Sequence, residues 1–155
     1  MEVSMERTFV MVKPDGVDKG LIGEVVSRIE NKNLKIVAMK MMKISEQIAG
    51  EHYKEHVGKP FFPALMRFTT MGPVVAMVIE GPNVIEVMRK LAGATNPMEA
   101  APGTIRKEYA MYVTYNIVHC SDCVDSANRE ISIFFNENEI VSYTKSLEKW
   151  NELLK

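Results

Sequence analysis

The feature that most constrains the fold is residues 74–80, a short and almost wholly apolar run between Gly72-Pro73 and Gly81-Pro82. Both Gly-Pro pairs are turn signals, so the run is confined to the length of one β-strand. Strands that are buried on both faces have nearly continuous apolar sequences, whereas half-exposed strands alternate with polar residues. The run is therefore suited to a central strand of a sheet.

Three further strands are predicted. Residues 7–13 form a β-branched and aromatic run that ends at the turn signal Pro14-Asp15-Gly16. Residues 34–44 alternate apolar positions with lysines, as half-exposed strands do. Residues 116–119 are predicted as a last short strand because Ile117 and Val118 are both β-branched.

Helices are predicted between these strands, where apolar residues recur at helical spacing. They cover residues 20–31, a segment from Ser45 through residue 56, one from Pro60 through residue 68, one after Asn83, and one after Ser121-Asp122. Ser45, Asn83 and the Ser121-Asp122 pair are predicted N-caps, since their side-chain oxygens can accept from free backbone N–H groups. The tail after Asn138 is predicted as a short helix and loop with Trp150 as its anchor.

Without the small helical insert that follows the second strand, the order is βαββαβ, which is the split βαβ or ferredoxin-like plan. The predicted fold class is α/β in the α+β sense, a ferredoxin-like βαββαβ sandwich with a four-stranded antiparallel sheet covered by helices. Residues 93–115 contain several glycines and prolines and only a weak strand-like stretch near residues 109–114. They are predicted as a long loop insertion before the last strand, and such loops usually carry function.

Length and composition limit the classes of protein. The 155 residues fit one domain over 1–155, with residues 1–5 as a loose N-terminal extension because Met5 is a second plausible start. A net charge of −1 gives no electrostatic footprint for nucleic acid or an anionic membrane, so no specific nucleic acid and no membrane partner is expected. Without a signal-peptide segment and with two cysteines, a cytoplasmic location is the simplest expectation.

Two motifs could indicate a metal site. His52 and His56 lie in an H-x-x-E-H pattern, in which both histidines share one helical face and could hold Zn²⁺. Cys120 and Cys123 form a C-x-x-C that could complete a Cys₂His₂ set. The first motif lacks a third ligand and the second lacks a partner C-x-x-C, so an amphipathic helix and two small fillers remain the alternatives, and no metal ligand is assigned. A helix N-terminus next to these thiols would lower their pKa and favour oxidation.

Phosphate chemistry would have to rely on side chains, because the sequence contains neither G-x-G-x-x-G nor G-x-x-x-x-G-K-[ST]. Lys13, Arg89 and Arg106 are the cationic candidates. His119 ends a predicted strand, and Glu130 lies on the helix that follows, near the end of its second turn. A carboxylate there can reach one imidazole nitrogen, which fixes the tautomer and leaves the other nitrogen free as a nucleophile. A half-buried histidine that is merely paired with a carboxylate is the alternative.

These residues lie in segments that resemble the nucleoside diphosphate kinase family. Residues 116–122, NIVHCSD, resemble the active-site signature N-x-x-H-G/A-S-D of that family. Further matching segments are KPDG at 13–16, HY at 52–53, KPFF at 59–62, GPVVAM at 72–77, GATNP at 93–97 and PGTIR at 102–106. The likeness extends from Glu6 to about Trp150, with the motifs in family order and at family spacing.

The resemblance implies transfer of the γ-phosphoryl group of a nucleoside triphosphate such as ATP to a nucleoside diphosphate, by a ping-pong route through a phosphohistidine. Broad base specificity is implied as well, and Mg²⁺ would be carried by the nucleotide phosphates. His119 matches the nucleophile, Glu130 the carboxylate that orients it, and Ser121 the support of that glutamate. The remaining matches are Lys13 and Asn116 at the sugar hydroxyls, Arg89, Thr95, Arg106 and Tyr53 on the phosphate side, and Phe61 and Val113 around the base.

Two further implications concern assembly and redox behaviour. Members of the family are homo-oligomers, and the extended tail and the loop around Pro97 resemble those of hexameric rather than tetrameric members. Cys120 departs from the glycine or alanine that usually follows the family's histidine, which raises the question of oxidation beside the nucleophile. A ferredoxin-like module that binds nucleotide without turnover is the competing hypothesis from another class.

Overall fold

The computed structural model describes residues 5–155. The strands are β1 Met5–Val12, β2 Lys35–Lys43, β3 Pro73–Pro82 and β4 Val118–Cys120. The helices are α1 Pro14–Asp18, α2 Ile22–Asn31, α3 Glu46–His52, α4 Phe62–Thr70, α5 Val84–Ala92, α6 Ile105–Tyr109, α7 Val124–Phe134 and α8 Ser146–Leu153. Met5 pairs with Pro82 at the start of β1 and does not belong to an extension, while the rest of the predicted extension lies outside the described residues.

The four strands form one sheet in the order β2-β3-β1-β4, and every neighbouring pair is antiparallel. This is the predicted ferredoxin-like plan. Helices α2 and α5 pack on one face through Ile29 and Met88, while α3 and α7 pack on the other through Ala49 and Phe134. Within residues 5–155, no helix combines the length and apolar character that crossing a bilayer requires.

Strand β3 has the central position predicted from its apolar run. Its residues alternate between the two cores, with Val75, Met77 and Ile79 in one and Val74, Ala76 and Val78 in the other. All six are at most 3% exposed. Burial on both faces explains why no polar position interrupts the run.

Several local predictions were wrong. Helix α1 forms at the predicted turn after β1, and α6 forms inside the predicted long loop, which has no strand at residues 109–114. The N-cap of α7 is Cys123 rather than Ser121-Asp122, and Asn83 precedes α5 in a left-handed conformation without a capping hydrogen bond. Ser45 does cap α3, since its hydroxyl accepts from the backbone N–H of Ile48 at 3.2 Å.

The C-terminal tail is held by an ion pair rather than by its tryptophan. Trp150 is 57% exposed, so it does not anchor the tail within this chain. Instead, the ammonium of Lys35 in β2 lies 2.9 Å from Glu148 of α8 and 2.9 Å from Glu80 of β3. Lys35 also donates to the backbone oxygen of Tyr143 at 2.7 Å. The predicted short helix is present as α8.

Candidate functional site

A tight turn leads into β4 and sets the direction of the residues that follow. Ile117 is fully buried and has a φ of 74°, which is unusual for a β-branched side chain. The N–H of Val118 donates to the carbonyl of Asn116 at 2.8 Å, as in a γ-turn centred on Ile117. Lys13 N donates to the Ile117 carbonyl at 2.8 Å, and Asp15 accepts from Ile117 N at 3.0 Å. Strained backbone of this kind persists where its surroundings hold it, and often lies at functional sites.

Helix α1 can pack against this turn because residue 16 is glycine. A β-carbon at Gly16 would lie 2.9 Å from the Ile117 carbonyl oxygen and 2.8 Å from a methyl group of Val12. Both distances are shorter than real contacts allow. The Pro14-Asp15-Gly16 segment that appeared in the sequence as a turn signal therefore supports the strained turn.

His119 and Glu130 meet as the spacing predicted. His119 Nε2 is hydrogen-bonded to Glu130 Oε1, and the carboxylate is only 3% exposed. The hydroxyl of Ser121 lies 3.3 Å from the same oxygen and accepts from Phe9 N, which ties α7 to β1. The hydrogen bond from His119 to Glu130 assigns the ring proton to Nε2, so Nδ1 carries the lone pair. Nδ1 makes no hydrogen bond to any residue in the described part of the chain.

Lys13 and Asn116 form a buried pair at the end of β1. The ammonium of Lys13 donates to Asn116 Oδ1 at 2.6 Å and to the Thr114 carbonyl at 2.9 Å. Burial lowers the pKa of Lys13 to about 8, an effect that nearby Asp15 opposes. The amide of Asn116 donates in turn to the Thr95 carbonyl at 3.0 Å, so this pair also positions the loop after α5.

Arg106 joins its own helix α6 to the loop after α5 and to the segment that leads into β4. Its guanidinium donates to the carbonyls of Asn116, Gly93 and Val118 at 3.3, 2.9 and 2.7 Å. Burial lowers its pKa, although a guanidinium stays protonated in proteins. Three of its five N–H groups are used, so two remain for a ligand. Arg89 is exposed and makes one bond, to the Cys120 carbonyl at 3.2 Å.

These groups surround a cavity of about 550 Å³. Ten of the predicted site residues line it: Lys13, Tyr53, Phe61, Arg89, Thr95, Arg106, Val113, Asn116, His119 and Glu130. Ser121 does not line the cavity and lies behind Glu130. Phe61 and Val113 are each 51% exposed, whereas burial raises the pKa of the Tyr53 hydroxyl to about 12 and keeps it protonated. The arrangement can bind an elongated anion between cations and apolar side chains, next to an oriented imidazole.

Other residues that line the cavity were given no catalytic or binding role from the sequence, among them His52, Asp122 and Arg129. His52 lies edge-on to His119 with ring centroids 4.7 Å apart, and burial lowers its pKa to about 2. The H-x-x-E-H motif drew attention to His52 in the sequence, but it paired His52 with His56 rather than with His119. Helix α3 ends at His52 and a 3₁₀ turn follows, so His56 does not share its helical face and contacts Lys59 instead.

The two cysteines have different environments. Cys120 lies in β4 and is 4% exposed, and burial raises the pKa of its thiol to about 11. The expected lowering by a helix N-terminus is therefore wrong for Cys120. Cys123 is exposed, and its sulfur accepts from Ser126 N at the start of α7.

We therefore expect one thiol per folded chain to react quickly with iodoacetamide at pH 8, and that thiol to be Cys123. Peptide mapping after brief labelling checks the position, since Cys120 is protonated and covered. Labelling in denaturant should reach both cysteines and serves as the control. Rapid modification of Cys120 in the folded protein would contradict this assignment.

Comparisons with known proteins agree with one another. A sequence profile described as nucleoside diphosphate kinase matches residues 6–140. The nucleoside diphosphate kinase of Archaeoglobus fulgidus is 61% identical over 146 residues, covering 94% of this chain and 97% of the relative. A solved structure of a halophilic nucleoside diphosphate kinase from Halobacterium salinarum in complex with CDP has a TM-score of 0.91 at 50% identity, covering 95% of this chain and 98% of that one. A structure of a nucleoside diphosphate kinase family protein from Babesia bovis also has a TM-score of 0.91, at 43% identity, covering 94% and 98%.

Proposed function

The chain belongs to the nucleoside diphosphate kinase family, and on this premise we propose that His119 carries the phosphoryl group between two nucleotides. The activity is phosphoryl transfer from a nucleoside triphosphate such as ATP to a nucleoside diphosphate. The observation that carries the assignment of His119 is its contact with buried Glu130, which leaves Nδ1 open to a cavity lined by Lys13, Arg89 and Arg106.

The reaction has two matching halves. Nδ1 of His119 donates its lone pair to the γ-phosphorus, the bond from that phosphorus to the bridging oxygen breaks, and the nucleoside diphosphate leaves with the electron pair. The β-phosphate oxygen of a second nucleoside diphosphate then attacks the phosphohistidine, and Nδ1 recovers its lone pair. Glu130 holds the Nε2–H and stabilises the positive charge that develops on the ring, with Ser121 supporting the carboxylate.

The other residues bind and orient the nucleotide. Lys13 and Asn116 bind the sugar hydroxyls, and Lys13 also approaches the phosphates. Arg89, Arg106, Thr95 and Tyr53 bind the phosphates, since phosphoryl transfer depends mainly on positioning and charge neutralisation. The base lies between Phe61 and Val113, whose exposure at the cavity mouth suits stacking. Stacking uses the π-face that every base has, which accounts for broad base specificity.

Mg²⁺ fits this cavity as an ion bound to the nucleotide. Mg²⁺ prefers a shell of waters and phosphate oxygens with one or two carboxylates. Among the described lining residues, Glu130 is hydrogen-bonded to His119, and Asp122 is exposed with a pKa that its bond to Ser126 lowers, so Asp122 is a carboxylate available at the phosphate end. Bound Mg²⁺ neutralises phosphate charge while the cationic side chains orient the chain of phosphates.

We propose a homo-oligomer, with a hexamer favoured over a tetramer, and a cytoplasmic location. The tail supports assembly, because Trp150, Leu153 and Leu154 are 57%, 82% and 85% exposed in the single chain. Apolar side chains on that scale are usually covered by a partner. Light scattering coupled to size exclusion distinguishes six copies from four, and a monomer would contradict the proposal.

The test of the proposed function is brief incubation with Mg-ATP followed by intact mass measurement. One added phosphoryl group per chain is expected, which acid removes and which disappears when a nucleoside diphosphate other than ADP is added. The nucleotide-binding module without turnover would bind ATP but acquire no adduct. Absence of the adduct from active, folded protein would overturn the mechanism.

The pKa of Lys13 predicts an alkaline limb in the rate. In the free enzyme Lys13 loses its charge as pH rises through about 8, so kcat/KM is expected to fall about tenfold per pH unit above that value. In the unfolded chain Lys13 keeps this proton to a higher pH than in the folded protein. The free energy of unfolding is therefore expected to rise as the pH increases above about 8, because the folded protein no longer buries a charged ammonium there. A pH–rate profile checks the prediction.

Lys13→Arg is the control for this limb, since arginine keeps its charge at every accessible pH. The variant is expected to lose the decline near pH 8 even if its rate at neutral pH is lower. An identical alkaline limb in both proteins would assign it to another group.

A further inference from the structure

His52 is a buried side chain that the phosphoryl transfer does not use. It is 5% exposed, and neither ring nitrogen has a hydrogen-bond partner among the described residues. Phe9, Tyr53, Phe134 and His119 surround its ring edge-on. A buried polar group without a hydrogen-bond partner destabilises the fold, so its presence beside the nucleophile calls for an explanation.

The nitrogens of His52 lie next to two other ligand-type groups. One ring nitrogen each from His52 and His119 and one carboxylate oxygen of Glu130 all lie within 4.8 Å of one another. These three residues come from α3, β4 and α7, so the cluster forms only in the folded chain. Atoms bound to a tetrahedral Zn²⁺ at 2.0–2.1 Å are roughly 3.3–3.5 Å apart, so the three ligand atoms would reach this spacing through side-chain shifts of about 1 Å.

We propose that His52, His119 and Glu130 form a binding site for a transition-metal ion of the Zn²⁺ type. Two imidazoles and one carboxylate, with water in the fourth position, are a ligand set that Zn²⁺ uses in proteins. Mg²⁺ takes oxygen ligands in octahedral geometry and is excluded by a set with two nitrogens. The site is separate in chemistry from the Mg²⁺ that accompanies the nucleotide.

Occupancy of this site inhibits phosphoryl transfer, a consequence that rests on the proposed function. The ion takes a lone pair of His119 and a carboxylate oxygen of Glu130, which are the two groups that the transfer uses. It also brings positive charge to the ring that has to develop positive charge during the reaction. Zn²⁺ therefore acts as a reversible inhibitor that competes with phosphorylation of His119.

Zinc binding is tested on the full-length protein without nucleotide, by isothermal titration with ZnCl₂ and by native mass spectrometry. All zinc measurements use a Cys123→Ser parent protein, which lacks the exposed thiol and is expected to bind one Zn²⁺ per chain. His52→Phe keeps the aromatic packing and removes both nitrogens. We expect it to bind Zn²⁺ at least about tenfold more weakly, because even the loss of an outer partner costs 10–100-fold.

His56→Gln is the matched control, since it alters the other histidine of the same motif, which contacts Lys59 and lies outside the cluster. Its zinc affinity should equal that of the parent protein. Glu130→Gln is a second variant, expected to lose affinity like His52→Phe, and it decides the question if His52→Phe does not fold. Equal zinc affinity in the parent and in the folded cluster variants overturns the site.

The inhibitory consequence has its own measurement. With free Zn²⁺ held by a metal buffer, the zinc concentration for half-inhibition of transfer should rise at least tenfold in His52→Phe and stay unchanged in His56→Gln. Zinc that binds at the cluster without inhibiting would overturn the competition while leaving the binding site in place. Because the titration contains no nucleotide, a failed metal site is distinguishable from a failed kinase mechanism.

Discussion

Replacing His119 by glutamine is expected to lower phosphoryl transfer by roughly 10⁴-fold or more, since loss of a covalent nucleophile removes the intermediate itself. Glutamine can still donate to Glu130, so the buried carboxylate keeps a partner and the fold should be preserved. Steady-state transfer from ATP to a second nucleoside diphosphate measures the loss. Intact mass should show no acid-labile adduct on this variant.

Two comparisons make this result specific to the nucleophile. His119→Ala should lose the same activity and also some stability, because it leaves Glu130 buried without its partner. His56→Gln changes a histidine at the same cavity that does not contact Glu130, and it should retain the phosphoryl adduct. Transfer by His119→Gln within tenfold of wild type would remove His119 from the proposed mechanism.

Replacing Arg106 by alanine is expected to lower the free energy of unfolding by about 2–5 kcal/mol, because each buried acceptor left without a donor costs about 1–3 kcal/mol. The guanidinium donates to the carbonyls of Asn116, Gly93 and Val118. Alanine removes the donor of Gly93 and Val118, whereas the Asn116 carbonyl keeps its bond from Val118 N. These carbonyls belong to the turn before β4, to the loop after α5 and to the first residue of β4. Urea unfolding at constant m-value measures the change.

Arg89→Ala is the matched comparison, since Arg89 lines the same cavity but is exposed and makes one hydrogen bond. It should cost less than about 1 kcal/mol, as a surface group does, while still weakening nucleotide binding. Arg106→Lys should recover part of the stability, because an ammonium cannot reach three carbonyls with the geometry of a planar guanidinium. Equal stability of the two alanine variants would contradict a structural role for Arg106.

The sequence predicted the sheet well because the relevant signals are local. The apolar run at 74–80 and the alternating residues 34–44 each reflect which faces of a strand are covered, and β3 and β2 lie there. The helix predicted after Asn83 is α5, although its cap is absent. Whether a segment forms a helix or a strand follows from a short local pattern. The capping residue depends instead on which side chains already have hydrogen-bond partners elsewhere in the fold.

Ser121 illustrates that limit. Its hydroxyl was a predicted N-cap, but β1 and Glu130 use it, since Phe9 N donates to it and it lies 3.3 Å from Glu130 Oε1. Cys123 is the N-cap of α7 instead, and its side chain accepts from Ser126 N. Helix α6 was missed for a related reason. The two glycines and two prolines of residues 93–115 favoured a loop, whereas Arg106 fixes this segment against β4 through a contact that a local pattern does not record.

The sequence by itself predicted the order of the four strands and of the helices between them other than α1 and α6, the family to which the chain is similar, and the contact between His119 and Glu130. The elements follow from local residue patterns, the family similarity from motifs along the chain, and the contact from the spacing along one strand and the helix after it. Only the tertiary structure showed that the ring of His52 packs against His119 rather than lying beside His56 on one helical face. It alone also showed that Cys120 is buried and protonated, and that Arg106 binds three carbonyls. Burial and long-range contacts determine these properties, and both arise when segments far apart in the chain pack against the same sheet.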